Sequence, residues 1–373
     1  MIRIGITGQV GFVGTHLYNL LGTLPDEFER VPCQDEFFAD DAALRHFVRQ
    51  CDCIVHLAAM NRHPDPQVIY DTNIRLVRQL IAAMEAEGKA PHVLFSSSTQ
   101  EERDNLYGAS KRDGRQLLAA WAARNGAKFT GCVLPNVFGP YGRPNYNSVV
   151  ATFCHQLTHS EQPAINVDGL VKLIYVGDLC REFVNIIRAG EVGSPRLIAH
   201  GGERKVSDLL TTFTRFKTQY FDQGIIPDLP TQFDVQLFNT FCGYIDHQSF
   251  YPSKLKLNTD ARGSFVEAIK LDRIGGQVSF STTVPGVTRG NHFHTRKIER
   301  FAVIKGRARI ELRRVGSDQK MTFDLDGREP AYVDMPVWCT HNITNVGDDE
   351  LYTLFWINEF FNPADPDTFF EEV

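Results

Sequence analysis

The sequence predicts an α/β domain built on a doubly wound parallel sheet, followed by an all-β barrel. Three observations predict it. Over roughly the first 130 residues, short β-branched runs alternate with amphipathic stretches of helix length, the rhythm of a parallel sheet covered on both faces. A glycine-rich turn, Gly8-Gln-Val-Gly11-Phe-Val-Gly14, follows the first run directly. Beyond Phe265 the chain becomes a series of short strands parted by turn residues, as in a barrel or sandwich.

In order, Ile2-Arg-Ile-Gly-Ile-Thr7 reads as the first strand and residues 12–21 as the first helix. The second strand ends near Val31-Pro-Cys-Gln34. Cys53-Ile-Val-His-Leu57 is an apolar strand, and residues 73–87 form a helix with Leu76, Leu80 and Ile81 on one face. Residues 93–97, 106–124 and 130–134 continue as strand, helix and strand. Between Gly224 and Tyr251, Pro227 and Pro230 interrupt an aromatic segment (Phe233, Phe238, Phe241, Tyr244) that reads as a packed connector. Residues 277–280, 309–313 and 351–357 are barrel strands. A length of 373 residues exceeds what one core holds, and the expected domains are 1–243, carrying nucleotide and substrate, and 244–373, carrying a metal.

Bulk properties exclude some classes. A net charge of −6 offers no electrostatic footprint for nucleic acid. No apolar run is long enough to span a bilayer. The N-terminus enters a strand without the plan of a secretory signal, so a cytoplasmic protein is expected. Eight scattered cysteines read as buried free thiols.

The glycine turn lies between a strand and a helix, where glycines let the backbone approach a pyrophosphate at the helix N-terminus. Its spacing is G-x-x-G-x-x-G. Ser96-Ser97-Ser98 ends a later strand, and Tyr107-Gly-Ala-Ser-Lys111 opens a helix. Tyrosine and lysine four apart share a helix face, so the ammonium is expected to lower the phenol's pKa. Such a phenol can protonate a carbonyl oxygen as hydride arrives, with a serine hydroxyl holding that oxygen.

These residues resemble the extended short-chain dehydrogenase/reductase family, a Rossmann-like fold, as do His56-Leu-Ala-Ala59, Asn73 and Leu134-Pro-Asn136-Val-Phe-Gly139-Pro140. The resemblance implies Ser98, with Ser97 as fallback, Tyr107 and Lys111 as catalytic residues. It implies cofactor contacts at Gly8, Gly11, Phe12, Val13, Gly14, Leu57, Ala58, Asn73, Tyr107, Lys111 and Asn136. The stretch from Ser98 to Tyr107 is shorter than usual for the family. No acidic residue closes the second strand where NAD enzymes bind the ribose diol, which favours NADPH over NADH; Arg30 is a candidate phosphate partner. Extended members mostly act on nucleotide sugars, and Asn145, Asn147 and Ser148 are candidate substrate residues, with turn chemistry beside Pro144 as the plainer reading of the asparagines.

In the last third, two imidazoles two apart, His292 and His294, project to one face of a strand, and Glu299 follows on the next. The spacing from Gly286 through His292-x-His294 and Glu299 to Gly306 matches the first cupin motif. Pro336-Val-Trp-Cys-Thr-His341-Asn-Ile-Thr-Asn345 resembles the second, with Trp338 where the family has glycine. His292, His294, Glu299 and His341 are the expected metal ligands, zinc being the first choice and nickel, manganese or iron the alternatives. Segments at 260–267 and 289–293 also resemble metal-free deoxysugar-nucleotide epimerases, in which the residue matching His292 is a proton-abstracting base.

The order of the two kits, with Pro144-Asn-Tyr-Asn-Ser148, Ala151-Thr-Phe-Cys154 and the ending Pro366-Asp-Thr-Phe-Phe-Glu-Glu-Val373, resembles the bifunctional capsular-polysaccharide enzymes of the UDP-N-acetyl-L-fucosamine pathway. That resemblance implies C3 epimerisation of a UDP-2-acetamido-2,6-dideoxy-4-keto-hexose by the cupin domain. Reduction at C4 with NADPH would follow, giving UDP-N-acetyl-6-deoxy-L-talosamine. It also implies a homodimer, to which the aromatic segment 356–370 could contribute unless it packs in its own barrel. Two alternatives stand beside it: a simple reductase carrying a non-catalytic metal-binding or dimerising module, and an NAD-recycling dehydratase or epimerase, for which Glu101 or Glu102 would be the acid.

Overall fold

The computed structural model describes the chain except residues 261, 262, 267, 273–275 and 361, and gives only the backbone of 257–260 and 263–266. The 260–267 segment read above as epimerase-like therefore lies largely outside the described residues. By packing, the chain forms two compact units, 1–149 with 168–206, and 150–167 with 207–373.

The first unit follows the expected strand–helix alternation. It runs β1 (Ile2–Thr7), α1 (Phe12–Gly22), β2 (Phe28–Val31), α2 (Asp41–Gln50), β3 (Cys53–His56), α3 (Pro66–Ala86), β4 (His92–Ser98), α4 (Leu106–Asn125), β5 (Phe129–Leu134) and β6 (Asn136–Phe138). After α5 (Val149–Thr158), which packs with the second unit, come β7 (Leu170–Tyr175), α6 (Val176–Ala189), β8 (Gly193–Leu197) and β9 (Gly202–Lys205). Six strands pair in parallel in the order β2-β1-β3-β4-β5-β8. Leu17, Leu179 and Phe183 cover one face of this sheet, and Phe47, Leu80 and Trp121 cover the other. Burial on both faces explains why these strands read as apolar runs rather than alternations. Caps set the helix starts: Asp40 for α2, Asp65 before Pro66 for α3, and Asn105 for α4. The Asp65-Pro66 start makes α3 seven residues longer at its N-terminus than the apolar periodicity predicts.

In the second unit two five-stranded antiparallel sheets face one another, the cupin-type architecture the motifs predict. One has the order 253–254, 331–335, 299–305, 351–357, 277–283; the other 320–326, 307–314, 339–345, 288–293, 369–370. Phe301, Val303, Ile310, Leu312, Phe323 and Ile343 fill the space between them. Trp338, which stands where the second motif has glycine, takes a left-handed backbone: its φ is +61°, its N–H donates to His294 O at 2.7 Å, and its ring stacks on Phe293. The expected connector instead holds a helix, α7 (Gln232–Cys242), started by a Thr231–Asp234 capping box. Its Phe238 and Phe241 pack on Phe213, Phe216 and Tyr220.

A buried ion pair ties this helical part to the strands. Arg300, 1% exposed, donates to both oxygens of Asp334 at 2.8 and 2.9 Å and to Gly224 O at 3.1 Å. Its guanidinium lies 3.7 Å from the centroid of the Tyr332 ring, and Tyr220 donates to Asp334. Replacing Arg300 by Met strands the Asp334 charge and should cost about 3–5 kcal/mol. Thermal unfolding should then begin about 10 °C lower. The double variant Arg300→Met, Asp334→Leu should recover most of that loss, and equal melting of the single variant and wild type would refute the account.

Candidate active site and metal centre

At the C-terminal ends of β1 and β3, Gly8 adopts φ +69° and packs so closely on Ala58 that a Cβ would sit 2.9 Å from its nitrogen. Gly14 is tighter still, with Gly8 O 2.2 Å from the Cβ position. Gly11 caps α1, and no side chain caps that helix. Leu57 N donates to Thr7 O at 3.2 Å, and Ala58 N to Thr7 Oγ1 at 3.3 Å, so Leu57 and Ala58 border the turn. Phe12 and Val13 open the helix and pack on the core beneath. The result is an uncapped helix N-terminus behind a close-packed glycine turn, suited to a pyrophosphate. Arg30 stacks on Tyr18 of α1 at 4.3 Å and donates to its carbonyl.

Tyr107 stands in the first turn of α4, where Gly108 is needed because Gln100 O lies 1.9 Å from its Cβ position. The Tyr107 carbonyl accepts from Ser110 Oγ at 2.7 Å. Ser110 Oγ in turn accepts from Asn73 Nδ2 at 2.9 Å, and the other Asn73 contacts go to Met60 N and O. Asn73 thus braces the phenol-bearing turn with its whole amide. Of the two serines, Ser98 is the one near enough to the Tyr107 phenol to stabilise its anion. Ser97 donates to Glu101, which Arg115 holds at 2.6 and 2.9 Å.

The electrostatics differ from the sequence expectation. Burial pushes the Tyr107 phenol up to about 12 even though Ser98 stabilises its anion. Lys111, 4% exposed, turns its ammonium to Ser96 O at 3.0 Å and sits 5.9 Å from the Tyr107 ring centroid. Burial lowers Lys111 to about 8, with Glu101 acting the other way. The phenol is therefore held protonated, the form an acid needs.

Of the expected substrate residues, Asn145 takes a left-handed φ of +54°, and its carbonyl and that of Tyr146 accept from Arg62 at 3.3 and 3.0 Å. Asn147 is exposed and Ser148 half-buried on the same segment. Tyr146 is near enough to Tyr107 to raise its pKa, and Arg143 lies over the Tyr146 ring at 5.1 Å. Tyr146 lies within the Pro144–Ser148 motif but was given no role there, and no sequence signal pointed to Arg62. Asn136 is exposed and donates to Lys172 O at 3.2 Å, joining β6 to β7.

In the second unit, one ligand atom from each of His292, His294, Glu299 and His341 lies within 4.8 Å of the others. His292 and His341 are cross-strand partners, and Glu299 begins a strand of the facing sheet. His294 Nδ1 donates to Asp367 O at 2.6 Å and His341 Nδ1 to Cys339 O at 3.1 Å, which turns both Nε2 atoms inwards. Those atoms are buried without a well-aligned hydrogen-bond partner, 3.2 and 3.3 Å from Glu299 Oε2. Although burial opposes its charge, His294 and His341 hold Glu299 well below the usual carboxylate range. Burial and the neighbouring imidazoles lower His292 to about 4, so it is neutral at pH 7. Inward nitrogen lone pairs around an ionised carboxylate fit a divalent cation.

Comparison with known proteins agrees with both halves. Residues 4–199 match the NAD dependent epimerase/dehydratase family and 258–369 the polysaccharide biosynthesis C-terminal domain. The chain belongs to the NAD dependent epimerase/dehydratase family. It is 34% identical to the UDP-2-acetamido-2,6-beta-L-arabino-hexul-4-ose reductase of Pseudomonas aeruginosa over 99% of this chain and 98% of that one. The structure of the capsular polysaccharide assembling protein CapF from Staphylococcus aureus is 32% identical and covers 100% of both chains, with a TM-score of 0.63. RMD from Pseudomonas aeruginosa, solved with NADPH, shares the fold over 58% of this chain and 83% of its own at 22% identity, with a TM-score of 0.53. Among the described residues, no helix of this family member is long and apolar enough to cross a membrane.

Proposed function

We propose that this chain is a bifunctional nucleotide-sugar enzyme. The second unit inverts C3 of a UDP-2-acetamido-2,6-dideoxy-4-keto-hexose, and the first reduces the C4 ketone with NADPH to give UDP-N-acetyl-6-deoxy-L-talosamine. The observation that carries the reading is the buried Tyr107 phenol, held protonated beside Ser98, in a chain that matches a hexulose reductase end to end.

In the reduction, NADPH supplies the hydride to C4. Ser98 holds the carbonyl oxygen and Tyr107 gives it the proton, so the ketone becomes an alcohol and the phenol a phenoxide. Lys111, its ammonium 5.9 Å from the ring centroid, then lies on the phenoxide's side of the helix. The glycine turn and Leu57-Ala58 hold the dinucleotide, Asn73 and Asn136 fix the elements around it, and Asn145, Asn147 and Ser148 meet the sugar nucleotide. Glu101 is paired with Arg115 and Ser97, which argues against a dehydratase acid there.

His292, His294, Glu299 and His341 would hold a divalent metal, zinc by the donor set. Such a cation would polarise the C4 ketone and make the C3 proton acidic. Removing that proton and returning one to the opposite face inverts C3 with no net change in electrons.

The test incubates the purified protein with the UDP-4-keto sugar in deuterated water. Deuterium should enter C3 without NADPH, and NADPH should be consumed when added; consumption without exchange would leave a simple reductase. The lysine also predicts a pH limb. Because burial lowers Lys111 to about 8, its charge is lost as pH rises through that value, and kcat/KM for reduction should fall above about pH 8. A flat profile to pH 9.5 would show that the charge is not used.

A further inference from the structure

We propose that Asp367 is a positioning residue for the metal centre, and that the chain's C-terminal strap holds the ligand His294 in its binding tautomer. The proposal rests on reading the three-histidine, one-carboxylate cluster as a metal site.

Asp367 lies 73 residues beyond His294 and is 4% exposed. Its backbone is left-handed, with φ +41°, a conformation that costs a non-glycine residue roughly 1 kcal/mol. In that conformation one residue serves the ligand turn twice. Its carbonyl accepts from His294 Nδ1 at 2.6 Å, leaving the Nε2 lone pair for the cluster. Its carboxylate accepts from Thr295 N at 3.1 and 3.2 Å, Thr295 Oγ1 at 2.6 Å, Arg296 N at 3.0 Å and Lys297 N at 3.3 Å. N–H groups of a partly buried turn are thereby satisfied by one carboxylate.

The strap is fastened on either side of Asp367. Lys297 Nζ donates to Pro366 O, and Phe369–Phe370 pairs with the strand bearing His292. Glu371 N donates to Asn291 O at 3.0 Å, and Glu371 O accepts from Thr340 Oγ1. Asn291 precedes His292 and Thr340 precedes His341, so the same few C-terminal residues brace three ligands. Carbonyls that orient metal-binding imidazoles act in this way, and their loss typically weakens metal affinity about 10–100-fold.

Asp367→Asn tests it. Asparagine tolerates the left-handed backbone but turns one acceptor into an NH2 that faces the N–H groups of the turn. Full-length wild type and variant are stripped, loaded with Co2+ and titrated against a chelator while the visible cobalt bands are recorded. Affinity should drop at least about tenfold and the bands should change as His294 is released. A lower melting temperature with unchanged affinity and bands would reduce Asp367 to a structural residue and overturn the proposal. Should Asp367→Asn fail to fold, Thr295→Val decides, since it removes the 2.6 Å donor and leaves Asp367 in place; unaltered cobalt affinity there would also overturn it. Failure of the underlying reading looks different: wild type would bind no stoichiometric Co2+, and Glu299→Gln would make no difference.

Discussion

Tyr107→Phe should lower the rate of NADPH oxidation by between about 100- and 10,000-fold and leave C3 exchange in deuterated water at the wild-type rate. The size follows from the oxygen it removes. Hydride arrival at C4 puts charge on the carbonyl oxygen, and the buried phenol, pushed up to about 12, is the proton held against it. Phenylalanine keeps the ring that packs near Lys111 and Tyr146, so folding and nucleotide binding should survive, and kcat should fall far more than KM rises. Ser98→Ala should lose less, because it removes the hydrogen bond to the oxygen and not the proton. Exchange should persist because the residues expected to perform it belong to the other compact unit. If exchange vanished together with oxidation in the folded variant, the division into two sites would be wrong.

How much of this was legible follows from what each feature depends on. β1, its glycine turn and α1 are local, and the expected strand at 2–7 is the observed one. The grouping of His292, His294, Glu299 and His341 was legible because a strand's period of two sets which residues share a face; that His292 and His341 are cross-strand partners was not. The state of Tyr107 was not. Spacing places Lys111 on its helix face, but the lysine's hydrogen bond to Ser96 O and the burial of both groups come from packing against β4. Asn73 is similar: its position on α3 was readable, its use of the whole amide on Met60 and Ser110 was not. Helix α7 was missed because two prolines and four aromatics outweighed a Thr231-x-x-Asp234 start signal that was present in the sequence. Asp367 is the extreme case, since nothing near it in sequence says that it reaches His294.

His292→Ala should lose more than about 100-fold in metal affinity and lose C3 exchange, while NADPH oxidation of an already epimerised substrate continues. A missing ligand should cost more than the ~10–100-fold of a supporting residue. Two roles compete for this imidazole. As a base it needs a free lone pair at neutral pH, which a value near 4 provides. As a ligand it needs the same lone pair within reach of the other donors, which their mutual 4.8 Å limit also provides. The neighbours weigh for the ligand: His294 and His341 already point their Nε2 atoms at Glu299, and a fourth donor closes a set around the carboxylate's charge. Metal content therefore separates the roles where activity alone cannot. His341→Ala, which removes a fully buried donor, sets the scale for losing one ligand. A His292→Ala protein that kept full metal and showed no exchange would make His292 the base, with three residues holding the ion and the fourth position left for the ketone.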